Sequence, residues 1–195
     1  MVICVCVVDD ERELERIGVK DSKLLSPSAR RRLYPQIKAL AREARCVHVT
    51  ARELNVLMEK HTLNEIEAMK MGELISGLRS RPEIVFIDSP DVNTVRFEKK
   101  ARELFKSAVR VKVEHKADAR YPVVAAASIL AKVERDEAID KIKRELGEDF
   151  GSGYSSDPRT IEFLRKNYHR PEVRKYVRKK WETVKKLAQR KLDEF

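Results

Sequence analysis

Between residues 83 and 146 the chain switches back and forth between two hydrophobic periods, and this restricts the possible folds more than any other feature. Glu83-Ile84-Val85-Phe86-Ile87 is a β-favouring run that stops at Asp88, before Ser89-Pro90-Asp91. A helical pattern then runs to about Lys106, and Val109 to Val113 alternates as a second strand. Glu114 to Tyr121 reads as a polar loop, and Pro122 opens a long helix to about Leu146. Two strands joined by a helix are expected to lie parallel, because the crossover returns the chain to the starting edge. The spacing predicts an α/β sheet.

The remaining segments fit around that unit. Residues 2–8 are an unbroken apolar run, too short for a helix and suited to a buried strand. Gly18 ends a short helical stretch, and Ser26-Pro27 is a cap and first-turn pair for a helix to about residue 44. Cys46 to Val49 alternates as a brief strand. Helices are expected near 51–58 and 64–78, the second carrying Ile66, Met69, Leu74 and Leu78 at helical spacing. Residues 147–158 are rich in Gly and Ser and read as a loop. Helices near 158–167 and 176–192 follow, the last with Trp181, Val184 and Leu187 as a docking face.

With 195 residues, 42% of them hydrophobic, the chain suits one domain with a small appendage. The expected division is a core over 1–146 and a loop with basic helices over 147–195. Three cysteines, Cys4, Cys6 and Cys46, cannot all pair, and two of them alternate along an apolar run. Buried thiols in a reducing, cytoplasmic compartment are therefore expected. The eight-residue apolar opening is far too short to span a bilayer, so no membrane partner is expected.

The net charge of +10 is unevenly placed. From Arg159 onward there are thirteen Lys or Arg against five Asp or Glu, leaving the preceding residues near neutral. A basic stretch including Arg174, Lys175, Arg178, Lys179, Lys180, Lys185 and Lys186 would suit a phosphate backbone, read without sequence preference. A solvated helical surface would use the same residues.

Sites in open α/β folds gather at the carboxyl ends of strands. Asp88 lies at such an end and Asp118 just beyond the next. Two converging carboxylates suit Mg²⁺ or Mn²⁺, hard cations that prefer oxygen. The scattered His and Cys have no zinc spacing. Each Asp would also serve as a plain turn or cap residue, and two carboxylates are few for a two-metal site.

Four ordered blocks then carry a resemblance. The segment Glu114-His115-Lys116-Ala117-Asp118-Ala119-Arg120-Tyr121-Pro122, continuing through Ala125-Ala126-Ala127-Ser128 to Arg135-Asp136, closely resembles the hallmark block of ribonuclease HII, in particular its archaeal branch. Gly18-Val19-Lys20-Asp21-Ser22-Lys23, Phe86-Ile87-Asp88-Ser89-Pro90-Asp91 and Gly151-Ser152-Gly153-Tyr154-Ser155-Ser156-Asp157-Pro158 agree in order. The resemblance runs the length of the chain. It implies an RNase H-like mixed sheet flanked by helices, with a C-terminal helical extension and four acidic residues holding two Mg²⁺ or Mn²⁺ ions. It also implies cleavage of the RNA strand of RNA–DNA hybrids, and cutting at single ribonucleotides in duplex DNA.

Carried over motif by motif, Asp88 resembles the third carboxylate and Asp118 the fourth. Tyr154 resembles the tyrosine that stacks by the ribose and senses its 2′-OH. Gly151 and Gly153 would allow a close backbone approach, and Lys116, Lys20 and Lys23 are candidate phosphate contacts. A core tyrosine and ordinary surface lysines are the plainer alternatives. A monomer is expected. A replication clamp is a candidate partner, although Leu192-Asp193-Glu194-Phe195 reads equally as a helix end.

One departure matters as much as the match. The family's opening Asp-Glu-Ala-Gly-Arg-Gly, which supplies the first two carboxylates on the central strand, does not occur in this sequence. Residues 1–8 resemble the strand that follows it. Without that strand its neighbours would carry unpaired backbone groups, each costing on the order of 1–3 kcal/mol. Two readings stand: a start placed downstream of the true one, or a truncated, inactive remnant that only binds nucleic acid. Met1 directly before a buried strand leans toward the first.

Overall fold

The computed structural model describes residues 1–105 and 109–186. In chain order the elements are β1 (Val2–Val7), α1 (Arg12–Arg16), α2 (Pro27–Leu40), β2 (Glu43–His48), α3 (Ala51–Leu57), α4 (Leu63–Ser76) and β3 (Ile84–Asp88). They continue with α5 (Thr94–Leu104), β4 (Arg110–Glu114), α6 (Ala117–Arg120), α7 (Pro122–Leu146), α8 (Pro158–Asn167) and α9 (Pro171–Arg174). The chain divides into two compact units. One holds residues 2–48 and 61–134, the other Met1, 49–60 and the chain from 135 onward.

The four strands among the described residues lie in the first unit. β3 and β4 are parallel, with Ile84 opposite Arg110 and Asp88 opposite Glu114. β1 and β2 are antiparallel, with Val2 opposite His48 and Val7 opposite Glu43. Among the described residues no strand joins the two pairs, so the mixed sheet is in two pieces.

Two apolar clusters hold this unit. In the first, Leu14, Leu33 and Ile37 of α1 and α2 meet Cys6 and the small face Ala125-Ala126 with Ile129 and Leu130. Ala125 and Ala126 are almost fully buried, so the alanine run lets the start of α7 approach closely. In the second cluster, Ile87, Val111 and Val113 of the parallel pair pack against Phe97 and Ala101 of α5 and Ala68 and Ile75 of α4. Each large side chain removed from water contributes about 1.5–3 kcal/mol. The core therefore clamps β3 and β4 rigidly just before Asp88. In the second unit Leu164, Val173, Val177 and Val184 form a smaller core lined by Phe163 and Trp181.

Several boundaries differ from the sequence reading. α2 ends at Leu40 rather than residue 44, with Ala41 extended at ψ 128°. The chain turns early because Arg42 N–H donates to the Val7 carbonyl at 2.9 Å and so begins the ladder with β1. The segment 114–121 is not wholly loop, since α6 forms within it. The expected helix over 176–192 is broken: residues 175–181 turn, and helix resumes only at 182–186. The Asn55 carboxamide accounts for the break. It donates to the Val177 carbonyl at 2.9 Å and accepts from Lys179 N–H at 2.8 Å, competing with helical bonding. Trp181 and Val184 do pack in the core, whereas Leu187 and the tail through Phe195 lie outside the described residues.

The cysteine expectation is corrected as well. Cys4 and Cys46 face each other across the β1–β2 ribbon and form a disulfide, with Cα atoms 4.1 Å apart. Cys6 alone is free and buried, and burial pushes its thiol up to about 12. No helix among the described residues is long and apolar enough to cross a membrane.

Candidate active site

β3 delivers Asp88 at its last position, and the ladder runs one step further through Ser89 N–H to the Glu114 carbonyl at 2.9 Å. Beyond β4, Lys116 takes a left-handed backbone conformation, φ 57° and ψ 35°, uncommon for a residue with a side chain. That turn aims the first N–H of α6 back toward the strand end. Ala117 N–H donates to Asp88 Oδ1 at 3.1 Å. The next residue is Asp118, only 4% exposed. A tight turn thus sets the second carboxylate beside the first.

The electrostatics report the same proximity. Burial, and next the negative charge of Asp118, push the Asp88 carboxyl above its ordinary value, against the Ala117 N–H that favours its anion. Lys23 reaches in from the turn after α1 and donates to Asp118 Oδ2 at 3.1 Å, a bond that raises the lysine's own pKa. Asp21 places that lysine by accepting from the Lys23 backbone N–H at 2.9 Å. The other oxygen of Asp118, Oδ1, is buried and has no hydrogen-bond partner. A buried acceptor left unpaired is costly.

Those features fit a hard cation. A buried orphan oxygen beside a second, repelled carboxylate is a donor set whose penalties a divalent ion would relieve. Among the described residues, no group of three or more His, Cys, Asp or Glu side chains assembles around one point. Asp88 and Asp118 thus form a pair of neighbouring carboxylates without a third acidic, His or Cys side chain among the described residues.

Neighbouring polar residues have other work. Asp91 accepts from Asn93 N–H at 2.9 Å and from Arg96 at 2.7 Å, which shapes the entry to α5. Glu114 is occupied by Lys112 and Arg120, each at 2.9 Å. His115 Nε2 sits 3.1 Å from the Val92 carbonyl, as a loop residue would. Lys20 and Lys116 are exposed.

Tyr154, Gly151 and Gly153 belong to the second unit. Gly151 and Gly153 have φ of 81° and 70°, which side-chain residues rarely adopt. Ser152 N–H donates to Asp157 Oδ2 at 2.7 Å and Gly153 N–H to Thr160 Oγ1 at 3.0 Å, so the loop is tied to the start of α8. Tyr154 is 40% exposed. The Arg135 guanidinium lies 3.6 Å from its ring centroid. Sequence reasoning missed this stack, because the motif block marks Arg135 without indicating any partner.

A family model described as Ribonuclease HII matches residues 1–184. The chain belongs to the ribonuclease HII family. It is 43% identical over 195 residues to the ribonuclease HII of Archaeoglobus fulgidus, covering all of this chain and 92% of that one. The ribonuclease HII of Pyrococcus furiosus is 41% identical, with 97% of this chain and 84% of that one covered. Among solved structures, the ribonuclease H2 of Pyrococcus horikoshii OT3 superposes with a TM-score of 0.86 at 40% identity, covering 97% of this chain and 90% of that one. A structure of the PCNA:RNase HII complex from Archaeoglobus fulgidus gives 0.83 at 43% identity, covering 98% and 90%. Membership places the chain among ribonuclease HII-type nucleases, a family with a general dependence on divalent metal.

Proposed function

We propose that this ribonuclease HII-family chain acts as an endonuclease on the RNA strand of RNA–DNA hybrids and at single ribonucleotides embedded in duplex DNA, leaving 5′-phosphate and 3′-hydroxyl ends. The observation that carries the proposal is the strand-end pair itself: Asp88, held by the Ala117 N–H, beside buried Asp118 with its unpartnered Oδ1. Mg²⁺ or Mn²⁺, two ions in the full site, would supply Lewis-acid stabilisation of the phosphodiester and a water of lowered pKa.

The chain's own residues do the rest. Asp88, at the end of β3, and Asp118, at the start of α6, would hold the metal through their carboxylates. Lys23 holds the Asp118 carboxylate by its ammonium and, with Lys20 and Lys116, contacts phosphate. Tyr154 stacks on the sugar at the ribonucleotide, its loop kept close to the backbone by Gly151 and Gly153. Within the second unit an open cleft lined by Arg52, Arg174, Lys175 and Lys179 supports contact with the phosphate backbone. Residues 1–146 act as the catalytic part and 147–195 as the recognition part. By likeness to the Archaeoglobus fulgidus complex, a replication clamp is the proposed protein partner.

The test is incision of a duplex bearing one ribonucleotide, with Mn²⁺ titrated against the 195-residue chain. Cutting at the ribonucleotide, lost in Asp88→Asn and Asp118→Asn, supports the proposal. Binding without incision at any Mn²⁺ level would instead support a chain that only binds nucleic acid.

A further inference from the structure

The loop that carries Tyr154 is fastened to α7 at two adjacent points. At Gly153 the backbone is in the left-handed region, and an added Cβ would lie 2.7 Å from Ile139 Cδ1 and 3.4 Å from Arg135 Nη2. The left-handed backbone there favours glycine, and a Cβ would also require the end of the Ile139 side chain to shift. One residue on, the Arg135 guanidinium sits 3.6 Å from the Tyr154 ring centroid. Its side chain is only 18% exposed, and Nη1 donates to Asp136 Oδ1 at 3.1 Å. A guanidinium held this way is a fixed plate. It covers one face of the ring, in a residue that remains 40% exposed.

We infer that Arg135 is a positioning residue for Tyr154: its guanidinium presets the ring orientation, and so contributes to telling a ribonucleotide from a deoxyribonucleotide. The inference rests on the proposed role of Tyr154 as the sugar contact. Arg135 touches no substrate in this account. The cation–π contact removes the ring's rotational freedom before binding, so the ordering cost is met in the free protein. Lysine, a point charge without a planar face, replaces only part of that contact.

The experiment measures affinity, which requires no cutting. Fluorescence anisotropy of the full chain, with Ca²⁺ as the metal, compares a labelled duplex containing one ribonucleotide with the same duplex in all-DNA form. The quantity read is the ratio of the two affinities for the wild type, Arg135→Ala, Arg135→Lys, Tyr154→Ala and the double variant. The expected result is a ratio reduced about threefold to tenfold in Arg135→Ala. Arg135→Lys should lie between, the all-DNA affinity should barely change, and Arg135→Ala should have no further effect once Tyr154 is alanine. A loss of overall fold would lower both affinities together, and Arg135→Met, which keeps the apolar stem, would then carry the test. If Tyr154→Ala lowers the ratio but no Arg135 variant does, the positioning role is overturned while the role of Tyr154 stands. If Arg135→Ala still lowers the ratio in the Tyr154→Ala background, the arginine acts by another route and the inference fails. If Tyr154→Ala leaves the ratio intact, the sugar-contact reading fails, and this inference falls with it.

Discussion

Asp88 and Asp118 are held at a cost to the folded chain, which sets the sign of the mutations around them. Asp88 sits in a field that disfavours its charge, so the neutral isostere should relieve the fold. Asp88→Asn is expected to raise the melting temperature by about 2–4 °C at most in metal-free buffer while abolishing cutting. Lys23→Ala has the opposite sign, because a 4%-exposed carboxylate then loses its ion partner. The ammonium is largely exposed, so screening limits the loss to about 1 kcal/mol. Thermal melts of the two variants at low salt check both signs. Asp88 was legible because a β-run ends in it, whereas Asp118, inside α6 beyond the end of β4, was singled out by its motif block. The Lys23–Asp118 pair, 95 residues apart, left no periodic trace. Nor did the Arg135–Tyr154 stack, because nothing in a helical pattern tells which loop its exposed face will meet.

The elements around the site are fixed by a few polar anchors, and these titrate. Asp91, at the turn between β3 and α5, is pulled from its ordinary 3.8 to about 2, first by Asn93 N–H and then by Arg96. A carboxyl depressed in the folded state gives its full stabilisation above its unfolded value and loses it as pH falls toward the folded one. Wild-type stability should therefore decline more steeply than that of Asp91→Asn as pH drops from about 4 to about 2. Acid-unfolding curves of the two proteins provide the comparison, and parallel curves would refute it. The β1–β2 ribbon offers a second check. In denaturant without reductant one thiol should react with a colorimetric reagent, Cys6, and after reduction three; in the native state Cys6 should be unreactive. The parallel pair and α7 were readable from periodicity. The early end of α2 was not, because Glu43 to His48 lacks strict alternation and becomes a strand only by pairing with β1. Likewise the break over 175–181 depends on Asn55, more than a hundred residues earlier.

At the scale of the whole molecule, the charge distribution and the family match bear on the same partner. With most of its +10 charge after Arg159, the chain should bind duplexes through released counterions. A plot of log affinity against log salt should therefore fall steeply and linearly, for all-DNA and ribonucleotide-bearing duplexes alike; a flat plot would remove the phosphate footprint. The family was legible from four motif blocks, and the comparisons agree with it. The disulfide was not, since three cysteines in sequence do not tell which two will face each other. The proposed nuclease function depends on whether the carboxylate pair after β3 and β4 takes up a divalent ion. The direct measurement is titration of Mn²⁺ into the metal-free chain, with free Mn²⁺ followed by electron paramagnetic resonance. The account predicts saturable uptake by the wild type that is lost or greatly weakened in Asp118→Asn and in Asp88→Asn; uptake by both variants equal to the wild type would contradict it.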